Sequence, residues 1–240
     1  MIKRVFAAFL ALVSSVSIAL AGDSAERRII GFSPDGKWFA FEQFGIQDGS
    51  GYPYHDVFVI DLVNDKWALG TPVRVRIDTE AATQHQVRNQ ARSKAAPTLA
   101  KLKIIDQGRI LASNPVTETA SDARQIRFLL HMNVSGPKYQ YRLKLEEFPA
   151  SAEQLCKDLG ADGKAFALSL AYGENPASEV YRDKDTVPKS RGCATGYTVA
   201  DVVVAGNVGR PKQFVVLVHV FAYGFEGPDS RFIAIPVTAP

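Results

Sequence analysis

Most of the chain alternates short apolar runs with turn residues, which predicts β-strands joined by tight connections. Residues 139–145 alternate apolar and polar side chains, so we expect one buried and one solvated face. Residues 38–44 carry aromatic side chains on both faces, which predicts burial on both sides. Further strands are predicted at residues 57–62, 73–77, 109–112, 126–132, 164–171, 199–204, 214–221 and 232–237.

The pattern changes between residues 81 and 103, where apolar side chains recur every three or four positions, as on one face of a helix. Proline lacks the N–H that a helix interior needs and disfavours helical geometry at the residue before it. We therefore predict a helix to about residue 94, a break, and a second short helix with Pro97 in its first turn. The apolar positions are Val87, Ala91, Ala95, Leu99 and Leu102.

A shorter helix is predicted at residues 151–159, because Ser151 and Gln154 have the spacing of a capping box. Together these elements predict a mainly β fold of antiparallel hairpin units, propeller-like or a sandwich. The helical segment at residues 81–103 is expected to be an insertion that packs on the sheets.

The first 21 residues have the three parts of a secretory signal peptide. Lys3 and Arg4 precede an apolar run that closes at Ala21 on a small-residue cleavage site. The run is shorter than the roughly 20 residues that a membrane-spanning helix needs. We expect cleavage after Ala21, no stable membrane insertion, a single domain over residues 22–240, and a periplasmic or secreted location.

Cys156 and Cys193 are the two cysteines of the chain. In an exported protein an even number of cysteines is typical of disulfide pairing. Closing this loop would stabilise the fold by roughly 4 kcal/mol in the chain-entropy model. We therefore predict a structural disulfide. Two free thiols are the alternative, and a redox pair is disfavoured because Cys-x-x-Cys spacing is absent.

The charge balance gives no support to nucleic acid or an anionic membrane as a partner. Lys3 and Arg4 supply two of the three net positive charges, so residues 22–240 carry +1. The hydrophobic content of 46% is that of a globular protein rather than a disordered one.

Residues 32–37 form a Phe-Ser-Pro-Asp-Gly-Lys turn, followed by apolar runs at residues 39–41 and 57–62. This arrangement resembles one repeat of the TolB-type β-propeller proteins, in which a Ser-Pro-Asp-Gly turn precedes two strands. Asp35 and Gly36 serve the turn. The resemblance therefore implies blade-like architecture and no chemistry.

A broader resemblance extends over nearly the whole chain after residue 21. Residues 31–61, including the loop at 47–54, residues 71–76 and residues 224–232 are similar to an uncharacterised family of predicted secreted bacterial proteins. The resemblance implies export and a single domain. It implies no reaction and no catalytic residue.

The densest polar cluster lies in and after the Gly-rich loop at residues 45–53. Asp48, His55 and Asp56 place two carboxylates and an imidazole close together, and a loop of this kind could bind Ca²⁺. The ligand spacing of an EF-hand is absent, so we interpret the segment as a hairpin loop and predict no metal site. Ser50 lacks the glycines two residues away that a nucleophile elbow requires.

Loops on a rigid scaffold commonly carry function, so residues 45–56 and 224–231 are predicted to form a ligand or partner surface. Tyr52, Tyr54 and Phe225 are expected to be its exposed aromatic anchors. The polar residues assigned to the same surface are Asp48, His55, Asp56, Glu226 and Asp229.

Other side chains suggest chemistry less directly. Glu226 and Asp229 could act as an acid–base pair, but the neighbouring glycines and Pro228 predict a hairpin turn. His131 and His219 lie in apolar runs and are predicted to be structural, since the four histidines lack the local spacing of a zinc site.

Two arginines on a predicted strand and two on the predicted helix could form a basic patch for a phosphate or carboxylate. Alternating strand residues share a face, and so do helix residues four apart. The alternative is a solvated face balanced by Asp78 and Glu80. The four arginines are Arg74, Arg76, Arg88 and Arg92.

No motif identifies a cofactor or a reaction. The sequence therefore favours a non-enzymatic binding module of the cell envelope, whose partner is an envelope protein or a small ligand. One alternative is an envelope hydrolase with a site assembled from dispersed residues. Another is a structural protein stabilised by a metal.

Overall fold

The computed structural model describes residues 22–79, 81–118, 120–131, 133–150, 154–184, 187–206, 213–224 and 226–239. These residues contain thirteen β-strands and two α-helices, and every pair of neighbouring strands is antiparallel. The predicted mainly β, antiparallel fold is confirmed. The predicted signal peptide and the Ser151 cap lie outside the described residues.

Five strands form sheet I, at the start of the described chain. It runs from β1 (Glu26–Phe32) through β2 (Trp38–Ile46) to β3 (Pro53–Asp61). The far edge of β3 pairs with both β4 (Lys66–Trp67) and β5 (Val73–Arg76). Helix α1 (Gln84–Lys101) follows sheet I in the chain.

Sheets II and III have four strands each. Sheet III begins at β6 (Arg109–Ser113), and sheet II runs from β7 (Gln125–Phe128) through β8 (Tyr141–Pro149) and β9 (Lys164–Tyr172) to β10 (Ser178–Arg182). Helix α2 (Gln154–Asp158) connects β8 to β9. Sheet III then continues from β6 through β11 (Ala194–Val204) and β12 (Gln213–Ala222) to β13 (Asp229–Thr238).

The three sheets stack face to face, with sheet III in the middle. On β12, Val216 and Val218 belong to the core shared with sheet II, whereas Val215 and Leu217 belong to the core shared with sheet I. A strand buried on both faces needs an almost continuous apolar sequence. Its sequence Gln-Phe-Val-Val-Leu-Val-His-Val-Phe-Ala meets that need.

Helix α1 covers the outer face of sheet I. Thr83 and Gln86 form a capping box that begins the helix, and the buried residues Val87, Ala91 and Ala95 pack on sheet I. These contacts leave sheet I covered on both faces, by α1 on one side and by sheet III on the other.

The predicted break in this helix is wrong, because Pro97 lies inside α1. The ring of Pro97 is exposed to solvent, while Ala95 before it and Leu99 after it both pack on sheet I. Packing on both sides holds the helix together across the missing backbone hydrogen bond.

Strand boundaries differ from the prediction around the Gly-rich loop. Strands β2 and β3 extend to Ile46 and from Pro53, so the loop between them is only residues 47–52. Strand β7 ends at Phe128, which leaves His131 beyond the strand. In β8 the predicted alternation is confirmed, with Tyr141 and Leu143 buried and the polar residues between them exposed.

A disulfide and an amino-terminal segment join distant parts of the chain. Cys156 of α2 is bonded to Cys193, which directly precedes β11, so the predicted disulfide is present. Asp23 and Ala25 exchange backbone hydrogen bonds with Ser230 of β13, at 2.8 and 3.2 Å. Over the described ranges, no helix is long and apolar enough to cross a bilayer.

Candidate functional site

The structure brings the two predicted loop regions together at one end of the interface between sheets I and III. Asp23 accepts hydrogen bonds from Tyr54 Oη at 3.0 Å and from Arg231 Nη2 at 2.6 Å. Its backbone N–H donates to Asp229 Oδ1 at 3.0 Å. One residue therefore ties β3 to the start of β13.

Tyr54 is not the exposed anchor that the sequence predicts. Only 5% of the residue is exposed, and the guanidinium of Arg231 lies 4.4 Å from its ring centroid. Burial raises the pKa of the phenol, with the nearby Asp23 carboxylate adding to the effect. Tyr54 therefore stays protonated and donates its hydrogen bond to Asp23, which is a structural role.

His55 also lies within β3 rather than in a loop, and it points to the opposite side, towards α1. The side chain is fully buried, with Nε2 3.0 Å from Glu42 Oε2 and the ring of Phe44 stacked 5.2 Å away. A ligand at the loops therefore has no access to this imidazole.

Glu42 is the fully buried partner of His55, and it also accepts hydrogen bonds from α1. Arg92 donates through Nε at 3.0 Å and Nη2 at 2.7 Å, and Arg88 through Nη2 at 3.3 Å. Burial alone would raise the pKa of this carboxyl, but hydrogen bonds from His55 and Arg92 and the charge of Arg92 lower it to about 2. The ionised Glu42 therefore connects α1 to sheet I through ion pairs with the two arginines.

The four arginines considered for a basic patch do not come together, because sheet I separates the two strand arginines from the two helix arginines. Arg74 and Arg76 pair with Asp56 and Tyr54 across β3 and β5, on the face turned towards sheet III. The two helix arginines lie on the other face with Glu42. Arg76 is neutralised by Asp78, with Nε 2.5 Å from Oδ1.

A cleft opens beside Asp56, between the β4–β5 edge of sheet I and the outer strand β13. We call it the Asp56 cleft. It consists of two adjoining cavities of about 290 and 200 Å³. Both cavities are bordered by Phe58, Trp67, Arg191 and Phe232, and Asp56 and Arg74 border the smaller one.

Asp56 is half-buried at the wall of this cleft. Gln43 Nε2 donates to Asp56 Oδ2 at 3.1 Å, while Gln43 Oε1 accepts the backbone N–H of Phe232 at 2.8 Å. Burial raises the pKa of Asp56, and the Gln43 hydrogen bond and the charges of Arg74 and Arg231 partly oppose that rise. Gln43 thus holds the carboxyl in place and ties it to sheet III.

The cleft also has an aromatic and cationic wall. Trp67 is 49% exposed, and the guanidinium of Arg74 lies 5.8 Å from its ring centroid. Arg191, by contrast, is nearly buried and donates to Asp183 Oδ2 at 2.7 Å and to Tyr181 Oη at 3.0 Å. Arg231 also borders the cleft, but it donates to Asp23 Oδ2 and to the Ser230 carbonyl. Arg74 is therefore the cleft arginine with a guanidinium open to a ligand.

The remaining predicted site residues that the structure describes are not among those that border the cleft. Asp48 and Tyr52 are half-buried in the loop after β2, and Glu226 is exposed in the loop before β13. Phe225 lies outside the described residues. Asp229 is half-buried beside Asp23, and burial raises the pKa of its carboxyl.

The described part of the chain has no group of three or more His, Cys, Asp or Glu side chains placed to hold a metal ion. His219 is buried on β12 with its ring stacked 4.5 Å from that of Phe232. Burial, and then the charge of Arg27, lowers its pKa to about 4. Its neutral, stacked ring fits the predicted structural role.

Sequence reasoning missed Asp23, Glu42, Gln43 and Trp67. A signal for two of them was present, because Glu42 and Gln43 interrupt the aromatic pattern of a strand predicted to be buried on both faces. Buried polar side chains need partners, so this pair points to a polar site on each side of sheet I. The partners of Asp23 could not be found from the local sequence, since Tyr54 lies 31 residues away and Arg231 lies 208 residues away.

The architecture is that of a layered β protein with a cleft at a sheet edge. The chain belongs to a family of predicted secreted proteins (DUF2259), whose family model matches residues 40–238. This match includes both loops and the Asp56 cleft, and it confirms the predicted family and the periplasmic or secreted location. No curated protein matches the chain. The similarity of residues 32–62 to a TolB-type repeat stays a prediction.

Proposed function

We propose that the protein is a non-enzymatic binding module of the cell envelope that holds a small ligand in the Asp56 cleft. The observation that carries the proposal is the convergence of a carboxyl, a guanidinium and an indole on one concavity, from Asp56, Arg74 and Trp67. Ligand sites are typically concave and mostly apolar, with a few polar groups that orient the ligand.

The chemistry of the walls defines the kind of ligand that fits. A ring or apolar face stacks on Trp67 and packs against Phe58 and Phe232. A polar group of the ligand then lies between the carboxyl of Asp56 and the guanidinium of Arg74, where it can both donate and accept hydrogen bonds. Sugars, amino acids and short peptides combine these features.

The test is a binding screen that reads the environment of the indole. Purified protein is titrated with monosaccharides, amino acids and dipeptides while tryptophan fluorescence and the melting temperature are followed. We expect at least one compound to change the fluorescence and raise the melting temperature, because a ligand bound only to the native state stabilises it. Trp67→Ala and Asp56→Asn should abolish this effect.

Two neighbouring substitutions serve as controls. Leu69→Ala removes an apolar side chain that is fully exposed just beyond Trp67, and Asp61→Asn removes a carboxylate at the far end of β3. Both should bind as the unmodified protein does. Failure of every compound to bind, or binding that survives Trp67→Ala and Asp56→Asn together, would overturn the proposal.

The hydrolase alternative rests on Asp56, since a half-buried carboxyl with a raised pKa in a cleft is what a general acid requires. His55 cannot take part in such a reaction, because its ring is fully buried beneath α1. Incubation of the purified protein with generic esterase, phosphatase and glycosidase substrates tests whether it is a hydrolase. Turnover that disappears in Asp56→Asn would replace the binding function with a catalytic one.

A binding module of the cell envelope must first be exported and processed. We propose that residues 1–21 are a signal peptide removed after Ala21 and that residues 22–240 form one domain. The shared cores of the stacked sheets support the single domain. Mass spectrometry of protein recovered from the native host tests the cleavage: a mature chain starting at Gly22 is expected, and an intact Met1 contradicts it.

A further inference from the structure

A second cavity lies on the opposite edge of sheet I from the Asp56 cleft. It has a volume of about 570 Å³ and lies between β1, α1 and the segment that enters β6. Three arginines border it, Arg28, Arg92 and Arg109, together with the isoleucines Ile30 and Ile110. We call it the arginine cavity.

Three different elements bring these arginines together. Arg28 of β1 is paired with Glu42 across the sheet, so its side chain lies on the face covered by α1. Arg92 reaches the same face from the helix. Arg109 is brought beside β1 because Phe32 and Asp106 exchange backbone hydrogen bonds at 2.6 and 3.1 Å, three residues before it.

The guanidinium groups around the cavity retain hydrogen-bonding capacity. Arg92 contacts Glu42 through Nε and Nη2, which leaves Nη1 available. Within the described residues, Arg28 makes no side-chain hydrogen bond or ion pair, and the buried Nε of Arg109 has no hydrogen-bond partner.

The cavity also has excess positive charge. No carboxylate is among the residues that border it. Glu42 lies behind Arg92, and that single negative charge is already shared with Arg88 and His55. Guanidinium groups match the oxygens of phosphate and carboxylate in paired hydrogen bonds.

We propose that the arginine cavity binds a phosphate group carried on an organic molecule. Three guanidinium groups call for more than the single charge of a carboxylate, and a phosphate monoester carries close to two negative charges at neutral pH. Ile30 and Ile110 provide an apolar surface beside the arginines for the organic part. This site is independent of the proposed function, because it lies on the other edge of sheet I.

Calorimetric titration with glycerol 3-phosphate and with pyrophosphate tests the proposal, and malate serves as a carboxylate probe of comparable charge. We expect both phosphate probes to bind more tightly than malate, with affinity that falls as salt rises. Arg28→Gln and Arg109→Gln should each weaken phosphate binding about tenfold, the effect of losing one charge-assisted hydrogen-bonding group.

The matched control is Arg127→Gln, which removes an exposed arginine from sheet II. It should bind the phosphate probes as the unmodified protein does. Arg109→Lys keeps the charge but loses the paired geometry, so its affinity should lie between those of the unmodified protein and Arg109→Gln. Equal losses in Arg127→Gln, no binding of either phosphate probe, or tighter binding of malate would each overturn the proposal.

A vesicle experiment distinguishes the source of the phosphate. Co-sedimentation with vesicles containing phosphatidic acid, a lipid with a phosphate monoester headgroup, that is lost in Arg109→Gln would assign a lipid headgroup. Binding of glycerol 3-phosphate without co-sedimentation would assign a free organic phosphate. Either result supports the phosphate site, and the melting temperature of each variant, measured in parallel, shows that the change in affinity belongs to a folded protein.

Discussion

Glu42 shows how one buried charge can organise two elements. Its carboxylate is fully buried, yet it contacts His55 on the neighbouring strand and Arg88 and Arg92 on α1. A buried ion pair is weak evidence for net stabilisation, but removal of one partner leaves the others without compensation. The residue therefore adds ion pairs to the apolar packing that holds α1 on sheet I.

Glu42→Gln keeps the volume of this side chain and removes its charge. We expect the free energy of unfolding to fall by about 3 kcal/mol, the lower end for a broken buried pair, because the two arginines are partly exposed and can be solvated. Urea unfolding at neutral pH measures the change. Glu179→Gln, in an exposed pair with Arg182, should change stability by less than about 0.5 kcal/mol. Equal effects of the two substitutions would contradict the role of Glu42.

His219 makes the fold sensitive to mild acid. Its ring lies between those of Phe221 and Phe232, with centroids 4.4 and 4.5 Å away. Since burial lowers its pKa from 6.5 to about 4, the unfolded chain binds the proton more tightly than the folded one. The stability that His219 contributes is complete above pH 6.5 and is lost as the pH falls through about 4.

We expect the free energy of unfolding to fall by about 3 kcal/mol over that interval. His219→Phe should remove most of this dependence, because the stacked ring remains and the titrating group does not. Urea titrations at a series of pH values measure it. His85→Phe alters an exposed histidine on α1 and should leave the dependence unchanged. The same acid sensitivity in His219→Phe and in the unmodified protein would refute the assignment.

At the level of elements, Pro97 is tolerated in α1 rather than required. Its ring is exposed, and the helix continues through it because Ala95 and Leu99 are held against sheet I. Pro97→Ala restores a backbone donor without loss of packing. We expect the free energy of unfolding to rise by about 1–2 kcal/mol, after allowance for the greater freedom of the unfolded chain.

Thermal unfolding followed by circular dichroism tests this expectation. Ala96→Ser substitutes an exposed neighbour at a cost of about 0.5 kcal/mol in helix preference, so it should lower the melting temperature slightly. A lower melting temperature in Pro97→Ala would show that the proline stabilises the helix and that the packing argument is wrong.

The existence of most elements could be predicted from the sequence, whereas their ends could not. Period-two patterns identify β8, and continuous apolar runs identify β11 and β12. The loop at residues 47–52 is shorter than its glycines indicate, because pairing between β2 and β3 continues to Ile46 and Pro53. Pairing depends on a partner strand, so composition alone cannot determine where it stops.

The molecule as a whole is held by contacts between segments that are distant in the chain. The disulfide between Cys156 and Cys193 joins the β8–β9 connection to the start of β11 in sheet III. Substitution of both cysteines by serine should lower the free energy of unfolding by about 4 kcal/mol, the loop-closure effect for a separation of 37 residues.

Denaturant unfolding with and without reductant measures this effect. In the double-serine variant, reductant should change nothing, which provides the internal control. If both thiols of the unmodified protein are alkylated before reductant is added, the bond does not form in the native protein and the expectation is wrong.

The layer order lies beyond what the sequence shows. No local sequence pattern indicates that sheet III lies between the other two sheets, because the layer order depends on which sheet faces pack together. The one hint is β12, whose side chains are apolar on both faces. Asp56 and Trp67 border the same cleft through that stacking and through the pairing of β4 with β3, so their proximity could not be predicted from their spacing.

The hydrogen bonds between residues 23–25 and β13 can form only when both ends of the domain are present. A chain made from its amino end contains Asp23 long before it contains Ser230 and Arg231. Before Arg231 is present, the carboxylate of Asp23 lacks its ion-pair partner, and Tyr54 lacks the neighbouring strand β13. These contacts therefore complete the fold only after nearly the whole chain has been made.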